Sequence, residues 1–253
     1  MAVKPILFSG PMVRALLDGR KTQTRRVLEP QPPECAGRIL GPEMYEPAVV
    51  DRYGDLVPGK AVFGVYDDAG EWGAKVRFAP GDLLWVRETW QHAPQRYCSC
   101  PQGSEPEPCD DWHEGTGCRS NRGEVVYRAD AERVACWRSP MFMPRGASRL
   151  TLAVTAVKVE RLQDISEDDA FAEGVCSFVE GQDRPGSWEG ITAETDRRQM
   201  VDVLYGSGRR AFMHLWETVN GADAWALNPW VVALTFTVHR SNVDAVLSQR
   251  EAA

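Results

Sequence analysis

Residues 149–162, RLTLAVTAVKVERL, contain the strongest strand pattern in the chain and indicate its fold class. Apolar residues alternate from Leu150 to Ala156 and then shift by one position, to Val157 and Val159. Because a β-strand repeats every two residues, such a shift turns the apolar set to the other face unless an extra residue is accommodated. The segment therefore predicts a long strand with a β-bulge near Ala156.

Further strand and helix patterns lie on both sides of this segment. Strands are predicted at residues 4–9, 83–87 and 230–239, from apolar runs or alternation bounded by turn residues. Helices are predicted at 11–18, 166–174 and 200–219, the last interrupted at Gly206-Ser207-Gly208. Because strands outnumber helices and lie at both ends of the chain, we expect an α+β fold: a small mixed β-barrel with flanking helices.

The segments without clear periodicity predict insertions into one domain that spans residues 1–240. We expect insertions at about 30–79, 92–123 and 180–208, where Pro, Gly and polar residues are frequent. The first is expected to hold loops and at most short strands. Residues 241–253 are expected to form an exposed helical tail.

Charge and composition restrict the class of ligand. The 253 residues carry a net charge of −7, yet residues 1–30 contain six basic and two acidic side chains. A local basic site on an acidic body suits a small anionic ligand or a short nucleic-acid segment better than an extended duplex. No apolar run approaches the ~20 residues of a membrane span, and no secretory h-region is present. We therefore expect a cytoplasmic protein without a membrane partner.

The run Gly19-Arg20-Lys21-Thr22-Gln23-Thr24-Arg25-Arg26 concentrates reactive and cationic side chains directly after an apolar helix. A hydroxyl beside an amine of lowered pKa can act as a nucleophile, and arginines can hold an anion or a base edge. The candidate substrate-binding residues of this run are Arg20, Thr22, Arg25 and Arg26. A solvated basic edge strand is the alternative interpretation.

Several blocks of the sequence resemble the ASCH domain, a member of the PUA-like superfamily of small β-barrels. The blocks are GRKTQTR at 19–25, PGD at 80–82, SPMFMPR at 139–145, ISEDDAFAEG at 165–174 and NPW at 228–230. Longer phage and prophage ASCH-like proteins are the most similar members. The resemblance implies a PUA-like barrel core with loop insertions.

The same resemblance implies candidate catalytic residues. Small bacterial members of the family are N4-acetylcytidine amidohydrolases that use a lysine, a threonine and a glutamate, which correspond here to Lys21, Thr24 and Glu173. In the implied mechanism Lys21, with its pKa lowered by burial and neighbouring arginines, takes the Thr24 proton, and Thr24 attacks an amide carbonyl. Glu173 orients Lys21 or activates the water that releases the acyl group.

The local geometry of these three residues sets conditions on that interpretation. Lys21 and Thr24 would point to opposite faces of a regular strand, so they converge only if Lys21 lies on the turn after Gly19 or a bulge intervenes. Glu173 lies in the last turn of a predicted helix, where the helix dipole disfavours a carboxylate by ~0.3–1 kcal/mol. Such a local conflict is typical of functional sites, although an exposed glutamate would also tolerate it.

Aromatic and basic residues elsewhere are candidates for the rim of the site. Trp85 is a candidate for stacking a base, with packing in the core as the alternative. Arg145 is a candidate for a basic rim beside a short Gly-containing turn.

The insertion at 92–123 is rich in cysteine. Cys98, Cys100, Cys109 and Cys118 would suffice for a tetrahedral structural zinc. Reduced surface cysteines, or disulfides formed outside the cell or during purification, are the alternatives. We expect no cofactor for the chemistry itself.

Two functions remain open from the sequence. The first is an amidohydrolase-like enzyme acting on an N-acylated or otherwise modified nucleoside or base. The second is a binding module for RNA, single-stranded nucleic acid or a modified base, in which the arginines bind and no turnover occurs. Convergence of Lys21, Thr24 and Glu173 in a closed pocket would favour the first, and an open basic groove the second.

Overall fold

The main sheet collects strands from both ends and the middle of the chain. The computed structural model describes residues 1–92, 125–130, 136–176, 179 and 194–251. In these residues the strands are β1 (Val3–Leu7), β2 (Gln23–Val27), β3 (Ile39–Tyr45), β4 (Ala48–Val50), β5 (Leu56–Pro58), β6 (Val62–Asp67), β7 (Gly73–Lys75), β8 (Leu83–Arg87), β9 (Trp90–His92), β10 (Val125–Tyr127), β11 (Thr151–Arg161) and β12 (Trp230–His239). The α-helices are α1 (Gly10–Leu17), α2 (Glu167–Ala172), α3 (Glu194–Tyr205), α4 (Gly208–Asn220) and α5 (Val243–Glu251).

Five strands form the main sheet in the order β1-β8-β11-β12-β2. The β1–β8 pair is parallel and the other pairs are antiparallel, so the sheet is mixed. The 11-residue strand β11 is central, and its register with β12 shifts between Val154 and Ala156. The α+β class and the β-bulge predicted near Ala156 are thereby confirmed.

The two edge strands of this sheet are β1 and β2, which are consecutive in the chain and connected through α1. Although β1 and β2 are at opposite ends of the strand order, the Arg26 guanidinium of β2 donates from Nη2 to the carbonyl of Leu7 in β1 at 2.8 Å. It also lies 5.2 Å from the centroid of the Phe8 ring. The sheet therefore bends until its edges approach each other, and Arg26 bridges them.

A smaller sheet, β3-β6-β7, comes from residues 30–79. Val65, Ala74, Val76 and Phe78 are buried in the same apolar core as the main sheet. The expectation of loops and at most short strands was wrong here, since β3 has seven residues and β6 has six. Frequent Pro and Gly obscured the alternation, yet this segment completes the core.

The boundary between helices α3 and α4 follows from the turn and capping residues in the sequence. Helix α3 ends at Tyr205, Gly206 has a φ of +78°, and Ser207 caps α4 by accepting from the backbone N–H of Arg210 at 3.1 Å. The predicted interruption at 206–208 is thus confirmed.

Within the described residues, no helix combines the length and the apolar character that crossing a membrane requires.

The C-terminal helix is part of the fold. Val243 and Val246 of α5 are buried against Leu83, Trp85 and Ala153 on one face of the main sheet. The helix expected within 241–253 is present, but the expectation that this tail is exposed was wrong, because two apolar residues three positions apart make one side of the helix a packing face.

Candidate functional site

Lys21 lies on the turn between α1 and β2. Gly19 adopts a left-handed φ of +73°, which ends the helix. The backbone N–H groups of Arg20 and Lys21 both donate to the carbonyl of Ala15, at 2.9 and 3.1 Å. Because Lys21 precedes the regular strand, the period of two does not apply to it, and its side chain lines the same cavity as Thr24.

Glu173 is brought to Lys21 by the end of α2. Ser166 caps this helix by accepting from the Asp169 N–H at 3.1 Å, and Glu173 is the first residue after its last turn. The Lys21 ammonium donates to the Glu173 carbonyl at 2.6 Å and to its Oε2 at 2.8 Å. One cation thus offsets both the carboxylate and the negative end of the helix, which resolves the conflict seen in the sequence.

Gly174 allows this close approach. Its φ is +86°, a left-handed conformation that favours glycine. A Cβ at this position would lie 3.2 Å from the Ala15 Cβ and 3.3 Å from the Lys21 Cβ. The glycine therefore lets the end of α2 pack directly on the lysine stem.

Arg25 links three carboxylates around the pair. It donates to Glu160 Oε1 from Nε at 3.1 Å and from Nη2 at 2.7 Å, to Asp169 Oδ2 at 3.0 Å and to Glu173 Oε1 at 3.2 Å. Arg25 and Glu173 are each only 3% exposed. The two oxygens of Glu173 are therefore held separately, one by Arg25 and the other by Lys21. We call this cluster the Lys21 network; its members are Lys21, Arg25, Glu160, Asp169 and Glu173.

Burial and charge act in opposite directions on the two cations. Burial lowers the pKa of Lys21 below its usual 10.5, and the nearby Glu173 carboxylate only partly opposes this effect. Burial also works to lower the pKa of Arg25, but Glu173 and Glu160 outweigh it and raise that pKa above its usual value. The lysine is thus the group of this pair that is closer to releasing its proton.

A small cavity of about 90 Å³ lies against the network. Its polar lining residues are Lys21, Thr24, Arg25, Arg26, Glu173 and Asn220, and Phe212 and Trp216 are among the apolar ones. Thr24 is 1% exposed, and the hydrogen bonds of the Lys21 Nζ go to Glu173. The indole Nε1 of Trp216 is buried and has no hydrogen-bond acceptor among the described residues.

A larger cleft of about 810 Å³ adjoins this cavity. It is lined by the facing edges β1 and β2, and it shares Phe8, Arg26 and Val219 with the small cavity. The Arg26 side chain is half-buried at this junction. The two spaces are continuous, and the larger cleft leads to the smaller cavity beside Lys21 and Glu173.

The predicted substrate-binding residues of the basic run are placed differently from one another. Arg26 lines both cavities, whereas Arg25 lines the small one but is already bound by carboxylates. Arg20 forms an ion pair with Asp18, and Thr22 is exposed; neither is among the lining residues. Only Arg26 of this run is placed to contact a ligand from the cleft.

Trp85 and Arg145 lie away from both cavities. Trp85 is buried beneath α5, with the Arg87 guanidinium 4.5 Å from its ring centroid. Arg145 forms an ion pair with Asp244 at the start of α5. The structure therefore places Trp85 in packing and Arg145 in a surface pair, and brings neither to Lys21.

The predicted zinc ligands Cys98, Cys100, Cys109 and Cys118 lie outside the described residues. The zinc site stays a prediction. In the part of the chain that the structure describes, no cluster of metal-ligating side chains is found.

A second ion-pair cluster, around the buried Glu88, lies elsewhere in the fold. Arg149 donates to both oxygens of Glu88, at 2.9 and 3.0 Å, and to both oxygens of Asp130, at 2.7 and 3.0 Å. Its guanidinium lies 3.9 Å from the centroid of the Tyr127 ring. We call these four residues the Glu88 network. None of them lines either cavity.

Sequence reasoning missed Glu160, Asp169 and Trp216. Glu160 alternates with apolar residues on β11. A carboxylate that is buried on such a strand requires a cationic partner, but the strand pattern does not identify that partner. Asp169 stands three residues after Ser166, a spacing that indicates helix capping and carries no signal of a contact with Arg25. Comparisons of the chain with models of protein families, with curated proteins and with solved structures find no match.

Proposed function

We propose that this protein is an amidohydrolase that acts on an N-acylated or otherwise modified nucleoside or base, of the N4-acetylcytidine type. One observation carries the proposal: the buried Lys21–Glu173 pair shares a small polar cavity with Thr24. These are the three residues that match the catalytic set of the ASCH-like amidohydrolases. Their side chains come from the turn before β2, from β2 itself and from the end of α2.

We extend the proposal to the fold family. A PUA-like barrel would have a small mixed sheet whose edges close on each other. The parallel β1–β8 pair within a mixed five-stranded sheet and the Arg26 bridge between its edges support this assignment.

The chemistry would begin at Thr24. Neutral Lys21, favoured by burial, takes the hydroxyl proton while Thr24 Oγ1 attacks the acyl carbonyl carbon. The C–N bond then breaks, and Lys21 returns the proton to the departing amine of the base. An acyl ester remains on Thr24. Water attacks this ester with Glu173 as the base, which releases the carboxylic acid and restores the hydroxyl.

The remaining lining residues would hold the reacting groups. The free indole N–H of Trp216 is a donor for the carbonyl oxygen, on which negative charge develops during attack. Arg25 holds Glu173 in place, and its own charge is taken up by three carboxylates, so its role is positioning. Removal of water from the small cavity strengthens both interactions.

The proposal is tested by incubating the purified protein with N4-acetylcytidine and a small panel of N-acylated nucleosides, with liquid chromatography to follow the released amine. We expect turnover that falls by about 10³-fold or more in Lys21→Ala and Glu173→Ala. The control variants are Lys60→Ala and Glu34→Ala, which alter exposed residues outside both cavities. Circular dichroism checks that each variant is folded. Turnover retained in Lys21→Ala would refute the assignment.

The cationic cleft supports the second candidate, a binding module for RNA, single-stranded nucleic acid or a modified base. Its walls include Arg26, Lys75 and Arg77. Absence of turnover across the whole panel, combined with binding of unmodified cytidine compounds, would favour this function over hydrolysis.

A further inference from the structure

Three cations that line the large cleft have no carboxylate partner in the part of the chain that the structure describes. Within the described residues, Arg26, Lys75 and Arg77 form no ion pair, whereas Lys21 and Arg25 are both neutralised inside the core. Glu29 is the one carboxylate among the residues that line the cleft. In a protein of net charge −7, the cleft therefore carries a local excess of positive charge.

The local strand pattern fixes two of these cations on the cleft wall. Ala74, Val76 and Phe78 are buried in the core, and Lys75 and Arg77 alternate with them on the exposed side. The Arg77 guanidinium lies 5.2 Å from the centroid of the Phe78 ring. Lys75 is the last residue of β7, and the Val76 N–H directly after it donates to the carbonyl of Phe63 in β6 at 2.9 Å. The smaller sheet and the segment that follows it therefore supply one wall of the cleft as well as part of the core.

Arg26 and Arg77 influence each other across the cleft. Burial lowers the pKa of Arg26 below its usual value, and the nearby Arg77 charge lowers it further, while Glu173 acts in the opposite direction. Two guanidinium groups that repel each other gain when an anion binds between them. The hydrogen bonds of Arg26 to the carbonyls of Leu7 and Arg25 leave the positive charge itself unneutralised.

We propose that the large cleft is a phosphate subsite formed by Arg26, Lys75 and Arg77. The natural ligand is then a phosphorylated nucleotide, either free or as a unit of a strand, and not a bare nucleoside. Its base enters the small cavity at Lys21 and its phosphate stays in the cleft. The assignment of the base rests on the proposed function, whereas the phosphate subsite rests on the cleft alone.

The geometry of the two spaces supports this division. They share Phe8, Arg26 and Val219, so one ligand can occupy both. The cleft, at about 810 Å³, lies in the range of small-molecule sites, while the cavity, at about 90 Å³, has room for little more than one small group or ring. Guanidinium groups bind phosphate through two parallel hydrogen bonds, which favours arginine at such a subsite.

The test is titration calorimetry of the full chain with four probes: inorganic pyrophosphate, cytidine, cytidine 5′-monophosphate and a cytidine trinucleotide. We expect the monophosphate to bind about tenfold more tightly than cytidine at low salt. The double variant Lys75→Ala/Arg77→Gln should lose this advantage and also lose pyrophosphate binding. The control is Lys60→Ala/Arg52→Gln, which changes the net charge equally and, at Arg52, alters another arginine placed over an aromatic ring.

The outcomes separate the subsite from the proposed activity. Pyrophosphate binding that depends on Lys75 and Arg77 supports the subsite even if no cytidine compound binds, in which case the proposed base is wrong. A trinucleotide that binds more tightly than the monophosphate identifies a strand as the source of the phosphate, and equal affinities identify the free nucleotide. Equal affinity for cytidine and its monophosphate, absence of pyrophosphate binding, or equal losses in the two double variants would overturn the subsite.

Discussion

The Lys21 network and the Glu88 network use similar side chains for different purposes. In each, a buried glutamate is bound by an arginine, Glu173 by Arg25 and Glu88 by Arg149. In the Glu88 network one arginine lies between two carboxylates and over the Tyr127 ring, and none of its residues lines either cavity. The Lys21 network adds a buried lysine and faces the small cavity.

This difference shows which feature of a buried ion pair points to function. Both glutamates are almost inaccessible, at 3% exposed for Glu173 and 1% for Glu88, so burial does not separate them. The Lys21 network differs from the Glu88 network in having, at the wall of a cavity, a side chain that can exchange a proton. Arginine stays protonated in proteins, whereas the pKa of a buried lysine shifts readily toward neutrality.

The largest effect is expected from removing the arginine of each network. Arg25→Met leaves three carboxylates facing one another, and we expect it to lower the free energy of unfolding by about 3–5 kcal/mol. Arg149→Met should lower it by about 2 kcal/mol, since the carboxyl of Asp130 is partly exposed. Urea unfolding measures both.

Turnover of the folded variants separates an effect on catalysis from an effect on stability. Arg25→Met releases one oxygen of Glu173, so we expect kcat to fall by about 10²-fold with little change in KM. Arg25→Lys should restore part of kcat, and Arg149→Met should leave kcat unchanged at temperatures where it is folded. Equal kcat losses in the two methionine variants would show that both act through stability alone.

The next effect concerns two buried indole groups. Trp216 beside the Lys21 network and Trp90 beside the Glu88 network both have an Nε1 without a hydrogen-bond acceptor among the described residues, but only Trp216 lines a cavity. Trp216→Phe should lower kcat/KM by about 10–100-fold, because it removes a donor to the substrate carbonyl. Trp90→Phe should leave turnover intact. Turnover of N4-acetylcytidine is measured for both variants, and the comparison decides whether the Trp216 donor acts on the substrate.

The smallest effect is the dependence of stability on pH, which should have opposite signs in the two networks. The pKa of Lys21 is lowered by burial, so between that pKa and 10.5 the unfolded chain binds the proton that the folded chain has released. The Lys21 contribution to the free energy of unfolding therefore rises with pH in this window. The slope is at most about 1.4 kcal/mol per pH unit.

The pKa of Glu88 is raised, by burial above all, so between 4.5 and that pKa the folded chain holds the extra proton. The Glu88 contribution therefore falls as the pH rises through this window. Both slopes are measured by urea unfolding across pH. Each is the difference in the free energy of unfolding between the wild type and a variant, which is Lys21→Met for the first slope and Glu88→Gln for the second. Slopes of the same sign would contradict the assigned shifts.

The sequence predicted the features that depend on neighbouring residues. The bulge in β11 followed from a one-residue change of phase, and the break between α3 and α4 followed from Gly206 and Gly208. The strand predicted at 230–239 is β12 without change of bounds. Each of these signals lies within about ten residues, which is the range over which periodicity and capping act.

Features that depend on distant residues were not predictable in this way. Arg25 contacts Glu160 and Asp169, which lie 135 and 144 positions away in the sequence, and no local pattern predicts such a pairing. From the sequence, Trp85 could stack a base or, as is more usual for tryptophan, pack in the core, and the position of α5 over it decides between the two. The candidate set Lys21, Thr24 and Glu173 came from a motif resemblance, and the shared cavity is what the structure adds.

Gly174 links the evolution of Lys21 to that of Glu173, because it adjoins both residues. It follows Glu173 in the chain, and its missing side chain leaves room for Lys21, 153 positions away. A mutation at 174 would act on the lysine as much as on the glutamate, so the three positions can change only together. In a saturation library at residue 174 selected for turnover, we expect glycine to dominate the surviving clones, with the rare exceptions carrying a second change in α1 at Ala15.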